Sequence, residues 1–167
     1  GSTVATNAVL EGKGVTTVYI SNRGLADVLT IGRQARRELY NLTPTRQPPL
    51  LPPTHCLEVA TRRSASNELV APLEDESLQA LLDSLAVLQP RAVSINLLFC
   101  FLDDTEERRI ETAINERFGA AVFVSRASDV MPQYGEYERG MTTTLNAMVG
   151  PLMQQYLQPQ AFAGILG

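Results

Sequence analysis

The sequence predicts an α/β fold built on parallel strands, and three observations carry that expectation. Residues 92–101 form a nearly continuous apolar run, as expected of a strand covered by helices on both faces. The segment Asp103-Asp104-Thr105-Glu106-Glu107 is an acidic helix start with capping-box spacing. Ile110, Ala113, Ile114 and Phe118 then give a helix an apolar stripe, Gly119 ends it, and residues 121–124 read as the next strand. Strand, helix, strand with short links is a βαβ unit, whose two strands run parallel with a right-handed crossover.

The other elements follow in chain order. Residues 1–11 read as a helix with an apolar side (Val4, Ala5, Ala8, Val9) and a hydroxyl-rich side (Ser2, Thr3, Thr6, Asn7). Gly12-Lys13-Gly14 makes a turn, without the spacing of a phosphate-binding loop. Residues 15–20 are rich in β-branched side chains and read as a strand; Asn22-Arg23-Gly24 turns the chain. Leu25, Val28, Leu29 and Ile31 suggest a short helix ending near Gly32. The prolines at 44, 48, 49, 52 and 53 make residues 41–54 an irregular surface excursion. Two short strands are expected near 55–61 and 69–70, linked through Ser64-Ala65-Ser66-Asn67. Asp75 starts a helix carrying Leu78, Leu81, Leu82, Leu85 and Leu88, stopped by Pro90. The last helix is expected over 134–157, with Tyr137, Met141, Leu145, Met148, Leu152 and Tyr156 on one side, and with Gly150-Pro151 kinking or splitting it. Residues 1–157 read as one domain and 158–167 as a trimmed tail. The chain opens without Met and reads as an excised piece.

Composition narrows the function. The 167 residues are 44% hydrophobic and 19% charged, with a net charge of −4, so a basic nucleic-acid surface is not indicated. Cys56, Cys100 and the one histidine, His55, supply neither a disulfide framework nor a Cys/His metal set. No metal-binding residues are expected. No apolar run spans a bilayer, and a cytoplasmic protein without membrane contact is the expectation.

Three polar clusters stand out. The first is Ser2, Thr3, Thr6 and Asn7 at a helix start, where unpaired N–H groups suit an anion such as phosphate. The second is Arg33-Gln34. The third runs from Glu136 to Asn146 and includes Thr142-Thr143-Thr144. Three successive threonines are poor helix formers. They mark a functional place, or Thr142 and Thr143 face solvent or bond back to carbonyls one turn earlier. Glu136 and Arg139 have the spacing of a surface ion pair.

Four segments resemble the hydantoinase A / 5-oxoprolinase family. Residues 1–11 resemble its G-[ST]-T-V-A-T-N-A-L-L-E stretch, and residues 23–34 resemble R-G-F-x-D-V-L-x-I-G-R-Q. Residues 97–109 are similar to L-L-[HF]-S-[FY]-x-N-P-x-H-E-x-R, with Asp104, Thr105 and Glu106 departing from it. Residues 136–152 are similar to E-Y-E-R-x-x-T-T-x-L-N-A-Y-V-x-P-L.

The resemblance implies an actin-like, ribonuclease-H-like α/β ATPase fold, here incomplete, with a partly parallel sheet and helices on both faces. It implies ATP-dependent opening of a small cyclic amide, with ATP and Mg in the full-length parent and a B-type subunit as partner. ATP would phosphorylate the amide oxygen before water opens the ring. The family's acidic glycine loop and its larger domain would lie outside this chain, so the chain alone should bind no cofactor tightly. Polarity and motif position then place Ser2, Thr3, Thr6 and Asn7 near phosphate or substrate. Arg33 and Arg139 become charge stabilisers, and Glu138, Thr143 and Asn146 orienting groups. On this view Arg139→Ala would lower turnover with the melting temperature nearly unchanged. Two rivals remain at this point: a segment of a ketone carboxylase subunit, and a non-catalytic α/β interaction domain.

Overall fold

The computed structural model describes residues 14–31 and 49–166. The expected helix over 1–11, the turn at Gly12-Lys13, the helix end near Gly32 and most of the Pro-rich excursion lie outside the described residues.

The elements are β1 (Thr17–Asn22), α1 (Val28–Ile31), a 3-10 turn at Pro53–His55, β2 (Cys56–Val59), β3 (Arg62–Arg63), β4 (Leu69–Ala71), α2 (Asp75–Leu88), β5 (Ala92–Asn96), α3 (Thr105–Phe118), β6 (Phe123–Arg126), α4 (Ala127–Val130) and α5 (Glu136–Leu166). The main sheet has the order β2-β1-β5-β6. All its pairings are parallel. β3 and β4 form a separate antiparallel hairpin. The expected βαβ unit is present as β5-α3-β6, and the expectation of an α/β fold with a parallel sheet holds.

The two faces of the sheet differ in chemistry. Strand side chains alternate between faces. Val18, Ile20, Leu57, Val59, Val93, Ile95 and Val124 join one apolar core with Leu81, Leu82 and Leu85 of α2 and Ile110 and Ile114 of α3. Burying each of these large side chains contributes on the order of 1.5–3 kcal/mol before chain entropy is counted. The opposite face carries Thr17, Tyr19, Ser21, Ser94, Asn96 and Ser125, all buried. α5 lies over this polar face. Thus β5 is not apolar on both sides, as its composition suggested; it is apolar on one side and small or polar on the other.

Several boundaries move for local reasons. β5 stops at Asn96 rather than near 101 because side chains capture the following backbone. Leu97 N–H donates to Glu107 and Leu98 N–H to Asn22. Residues 97–102 then turn, with Cys100 N–H bonded to Leu97 O and Leu102 N–H to Phe99 O. Such bonds compete with a strand ladder. Asp104 precedes α3 without a cap bond. Asp103 instead accepts from Thr105 N–H and Oγ1, and Asp104 pairs with Arg108 and Arg126. α2 closes as expected, on Gln89 in the left-handed region with φ 50° before Pro90.

α5 departs most from expectation. It runs without a break through Gly150-Pro151 and continues to Leu166, beyond the expected end at 157. Its buried face is Arg139, Gly140, Thr143, Thr144, Ala147 and Pro151, and the apolar line only flanks it. Met141 and Met148 pack with Tyr19, Leu29 and Leu51, and Leu152 packs with Val15 and Ala92. Small residues let the helix sit close to the strands. A Cβ at Gly140 would lie 3.1 Å from Asn96 Nδ2 and 3.2 Å from the Tyr19 hydroxyl.

At Gly150 the approach is tighter, since a Cβ would fall 2.4 Å from two Phe123 ring carbons. Gly150→Val is therefore expected to cost about 1–3 kcal/mol through overpacking, despite valine's better helix propensity. Urea denaturation of the variant beside the parent chain checks this; an unchanged midpoint would refute the close packing.

Candidate functional site at the carboxyl edge of the sheet

Strand order reverses between β1 and β5. In an open parallel sheet, ligands bind beyond the carboxyl ends of the strands at such a switch point. Two asparagines stand there, one on each face. Asn22, at the end of β1, donates to Thr61 O at 2.6 Å and accepts from Leu98 N–H at 2.6 Å. Asn96, at the end of β5, donates to the Tyr19 hydroxyl and to Glu136 O, each at 3.0 Å. Burial pushes the Tyr19 hydroxyl up to about 12, against the lowering effect of the Asn96 bond. Tyr19 is therefore a neutral phenol near neutral pH.

Glu107 organises the same edge from the first turns of α3. It is wholly buried. One carboxylate oxygen accepts from Leu97 N–H, the other from Ser128 N–H and Oγ, at 3.0, 3.0 and 2.6 Å. Burial raises its pKa, with those same hydrogen bonds pulling the other way. Burial also pushes the neighbouring Cys100 thiol far up, and the Glu107 charge adds to this. Cys100 is a protonated, enclosed thiol in the turn rather than a strand residue. Arg63 clamps the hairpin to α3 through both oxygens of Glu106, at 3.1 and 3.2 Å, and through Asn67. The recess between Asn22, Arg63, Cys100 and Glu106 holds about 10 Å³, the room of roughly one water.

Of the expected site residues, Ser2, Thr3, Thr6, Asn7 and Arg33 lie outside the described residues. Arg139 and Thr143 are both fully buried, one turn apart on α5. Arg139 donates to Gln133 O at 3.0 Å and Leu97 O at 3.3 Å, and its guanidinium lies 5.3 Å from the Phe101 ring centroid. It makes no surface ion pair with Glu136 among the described residues. Thr143 Oγ1 and Arg139 Nε have no hydrogen-bond partner among the described residues. Thr144 is tied to Ser94 Oγ at 3.0 Å. Thr142 alone of the three threonines faces solvent. Asn146 donates to Ser125 Oγ at 2.9 Å, on β6 and away from the loop that Arg139 holds. Glu138 is half-buried in the first turn of α5.

Arg139 is enclosed and directed at carbonyls. The first turn of α5 carries Glu136 and Glu138, which repel an anion from that helix end. No group of three metal-ligating side chains occurs among the described residues. Sequence reasoning missed Tyr19, Asn22, Asn96, Glu107 and Ser128. Only Asn96 carried a signal, as a polar residue interrupting an apolar run.

A sequence profile of the hydantoinase/oxoprolinase N-terminal region matches residues 1–118. The chain is similar to the acetophenone carboxylase gamma subunit of Aromatoleum aromaticum, at 30% identity over 92% of this chain and 22% of that one. It is also similar to caprolactamase subunit alpha of Pseudomonas jessenii, at 28% identity over 95% of this chain and 23% of that one. The crystal structure of the ATP-dependent caprolactamase from P. jessenii superposes with a TM-score of 0.85 at 26% identity, over 95% of this chain and 23% of that one. The chain thus spans between a fifth and a quarter of the length of these relatives.

Glu107→Ala would leave Leu97 N–H buried and Ser128 N–H half-buried without their acceptor, and is expected to destabilise the chain by about 2 kcal/mol or more. The pH dependence follows from the raised pKa. Folded Glu107 holds its proton above the ordinary carboxyl range, where the unfolded chain has released it. Its contribution to stability therefore falls as pH rises through that window. Urea titrations across that range should show this slope in the parent chain and lose it in Glu107→Gln. Burial also changes the expectation for Arg139→Ala. Losing bonds to two carbonyls should cost about 2 kcal/mol or more and lower the melting temperature clearly, as a thermal melt would show.

Proposed function

The chain belongs to the hydantoinase/oxoprolinase family, and from that premise we propose that it forms part of an ATP-dependent hydrolase of cyclic amides. The observation that carries this reading is the superposition on the ATP-dependent caprolactamase over nearly the whole chain. The switch-point edge, with its fixed amides and hydroxyls, supports a role in lining a substrate cleft rather than in scaffolding alone. A segment of a ketone carboxylase subunit is the second reading, favoured by the acetophenone carboxylase likeness.

The finer assignments belong to this proposal. The complete protein would be cytoplasmic, use Mg with ATP on an actin-like fold, and work with a B-type subunit. Among the described residues no helix is long and apolar enough to cross a membrane. Nucleotide contacts would come from Ser2, Thr3, Thr6, Asn7 and Arg33. Thr143, Glu138 and Asn146 would orient groups at the cleft. Arg139 takes a changed role: it holds the loop after β5 and does not meet the developing charge itself. A resonance-stabilised amide is a poor electrophile, so ring opening needs an energy source, and the ATP-dependent relative supplies the precedent for one.

The test is turnover by the complete gene product with its partner subunit, offered hydantoin, 5-oxoproline, caprolactam, or acetone with bicarbonate. Ring opening coupled to ATP consumption supports the main reading, and carboxylation of the ketone supports the second. Turnover of none of them would overturn both. The 167-residue chain alone is expected to hydrolyse no ATP above background; measurable hydrolysis would contradict the view that its cleft is shared with other parts of the protein.

A further inference from the structure

Arg63 is 9% exposed, so its guanidinium must find its partners inside the protein. Nη1 donates to Asn67 O and Oδ1, and Nη2 to both oxygens of Glu106. A guanidinium has five N–H donors, and these bonds use four. The fifth, Nε–H, is enclosed and meets no acceptor among the described residues. A buried donor is costly to leave unmet, and native structures almost always meet it with protein or with ordered water.

Arg63 lines the recess of about 10 Å³ beside Asn22, Cys100, Glu106 and Glu107. Acceptor capacity is in surplus there. Glu107 receives three donors, against about four lone-pair sites on an ionised carboxylate. Asn22 Oδ1 receives Leu98 N–H and has a second lone pair.

Size and chemistry select the occupant. A recess this small admits one water-sized species. A metal cation suits the carboxylates, but it cannot accept from Arg63 Nε–H and the guanidinium repels it. An anion suits Nε–H but faces Asp103, Glu106 and Glu107 on the same walls. A water accepts from the unmet donor and donates to the spare lone pairs, so it alone matches both.

We propose that this recess is a binding site for one long-lived water, which accepts from Arg63 Nε–H and donates to Asn22 Oδ1 and the Glu107 carboxylate. The water joins the β3–β4 hairpin to the end of β1 and to α3. It thereby couples the Arg63 clamp to the two side chains that hold Leu97 and Leu98 N–H. The proposal rests on the recess and not on the activity proposed above.

Nuclear and rotating-frame Overhauser spectroscopy on the 167-residue chain tests it. The Arg63 Nε–H resonance should show a water cross-peak with the sign of dipolar contact, not of hydrogen exchange, as for a water that tumbles with the protein. Arg63→Lys keeps a positive charge opposite Glu106 and removes Nε–H. In that variant the water contacts of the Leu97 and Leu98 amide protons should be lost. A crystal structure that resolves ordered solvent supplies a second measurement that needs no variant. It should show one peak in the recess about 2.7–3.2 Å from Arg63 Nε. An empty recess would overturn the proposal, as would an Nε–H bonded directly to a protein oxygen. So would an ion with oxygen contacts of about 2.3–2.6 Å, or water contacts at Leu97 and Leu98 that persist in Arg63→Lys.

Discussion

The structure depends on one buried carboxylate. Glu107 sits at the junction of the strand β5, the helix α3 that follows it, and the start of α4 after β6. A parallel βαβ unit brings three backbone ends to one edge, each with N–H groups that no ladder satisfies. Water would satisfy them at the surface; here they are enclosed. A single carboxylate with two oxygens accepts three donors and closes the edge. Burial raises the cost of its charge, and the donors offset that cost. Without it, the turn after β5 and the start of α4 lose the one side chain that ties them to each other. The Arg139 and Asn22 bonds to Leu97 and Leu98 also depend on that turn.

The second constraint is the unequal sheet. Apolar packing against α2 and α3 drives folding but is non-directional, so it specifies register less sharply than paired hydrogen bonds do. The face under α5 is different. Thr144 meets Ser94, Asn146 meets Ser125, and Gly140 admits the Asn96 and Tyr19 side chains. Each pair exists only in one register, and a shift of one turn would leave several hydroxyls buried without partners. The apolar face supplies most of the driving force, and the polar face fixes where α5 lies.

This division explains what the sequence disclosed. The β5-α3-β6 unit and α2 were legible because Leu78 to Leu88 and Ile110 to Phe118 repeat at helical spacing, a signal that depends only on local periodicity. The end of β5 was not, because it is set by Asn22 and Glu107, residues far from Asn96 in sequence or placed on another element. The buried face of α5 was misjudged for a related reason. Tyr137, Met141, Leu145 and Met148 look like a core stripe, yet the sheet beneath is polar, so Arg139, Thr143 and Thr144 face it instead. The threonine run broke a local propensity rule for a tertiary purpose. The expected nucleotide residues between 1 and 33 rested on polarity at a helix start and on motif position, and neither carries information about distance.

Arg139 is the fully buried cation of this edge. A buried guanidinium is costly unless its donors are met and its charge is balanced. Here a planar fork reaches Gln133 O and Leu97 O while its face covers Phe101. Lysine would not reproduce this, because its ammonium lacks the planar fork that fixes two carbonyl contacts while lying flat against a ring. A leucine would fill the space without the desolvation cost, but it would release both carbonyls and the orientation of Phe101. The charge is therefore best understood through what it holds. It joins the loop after β5, the loop before α5 and an aromatic ring into one rigid edge, at the point in the sheet where an α/β fold presents itself to a ligand.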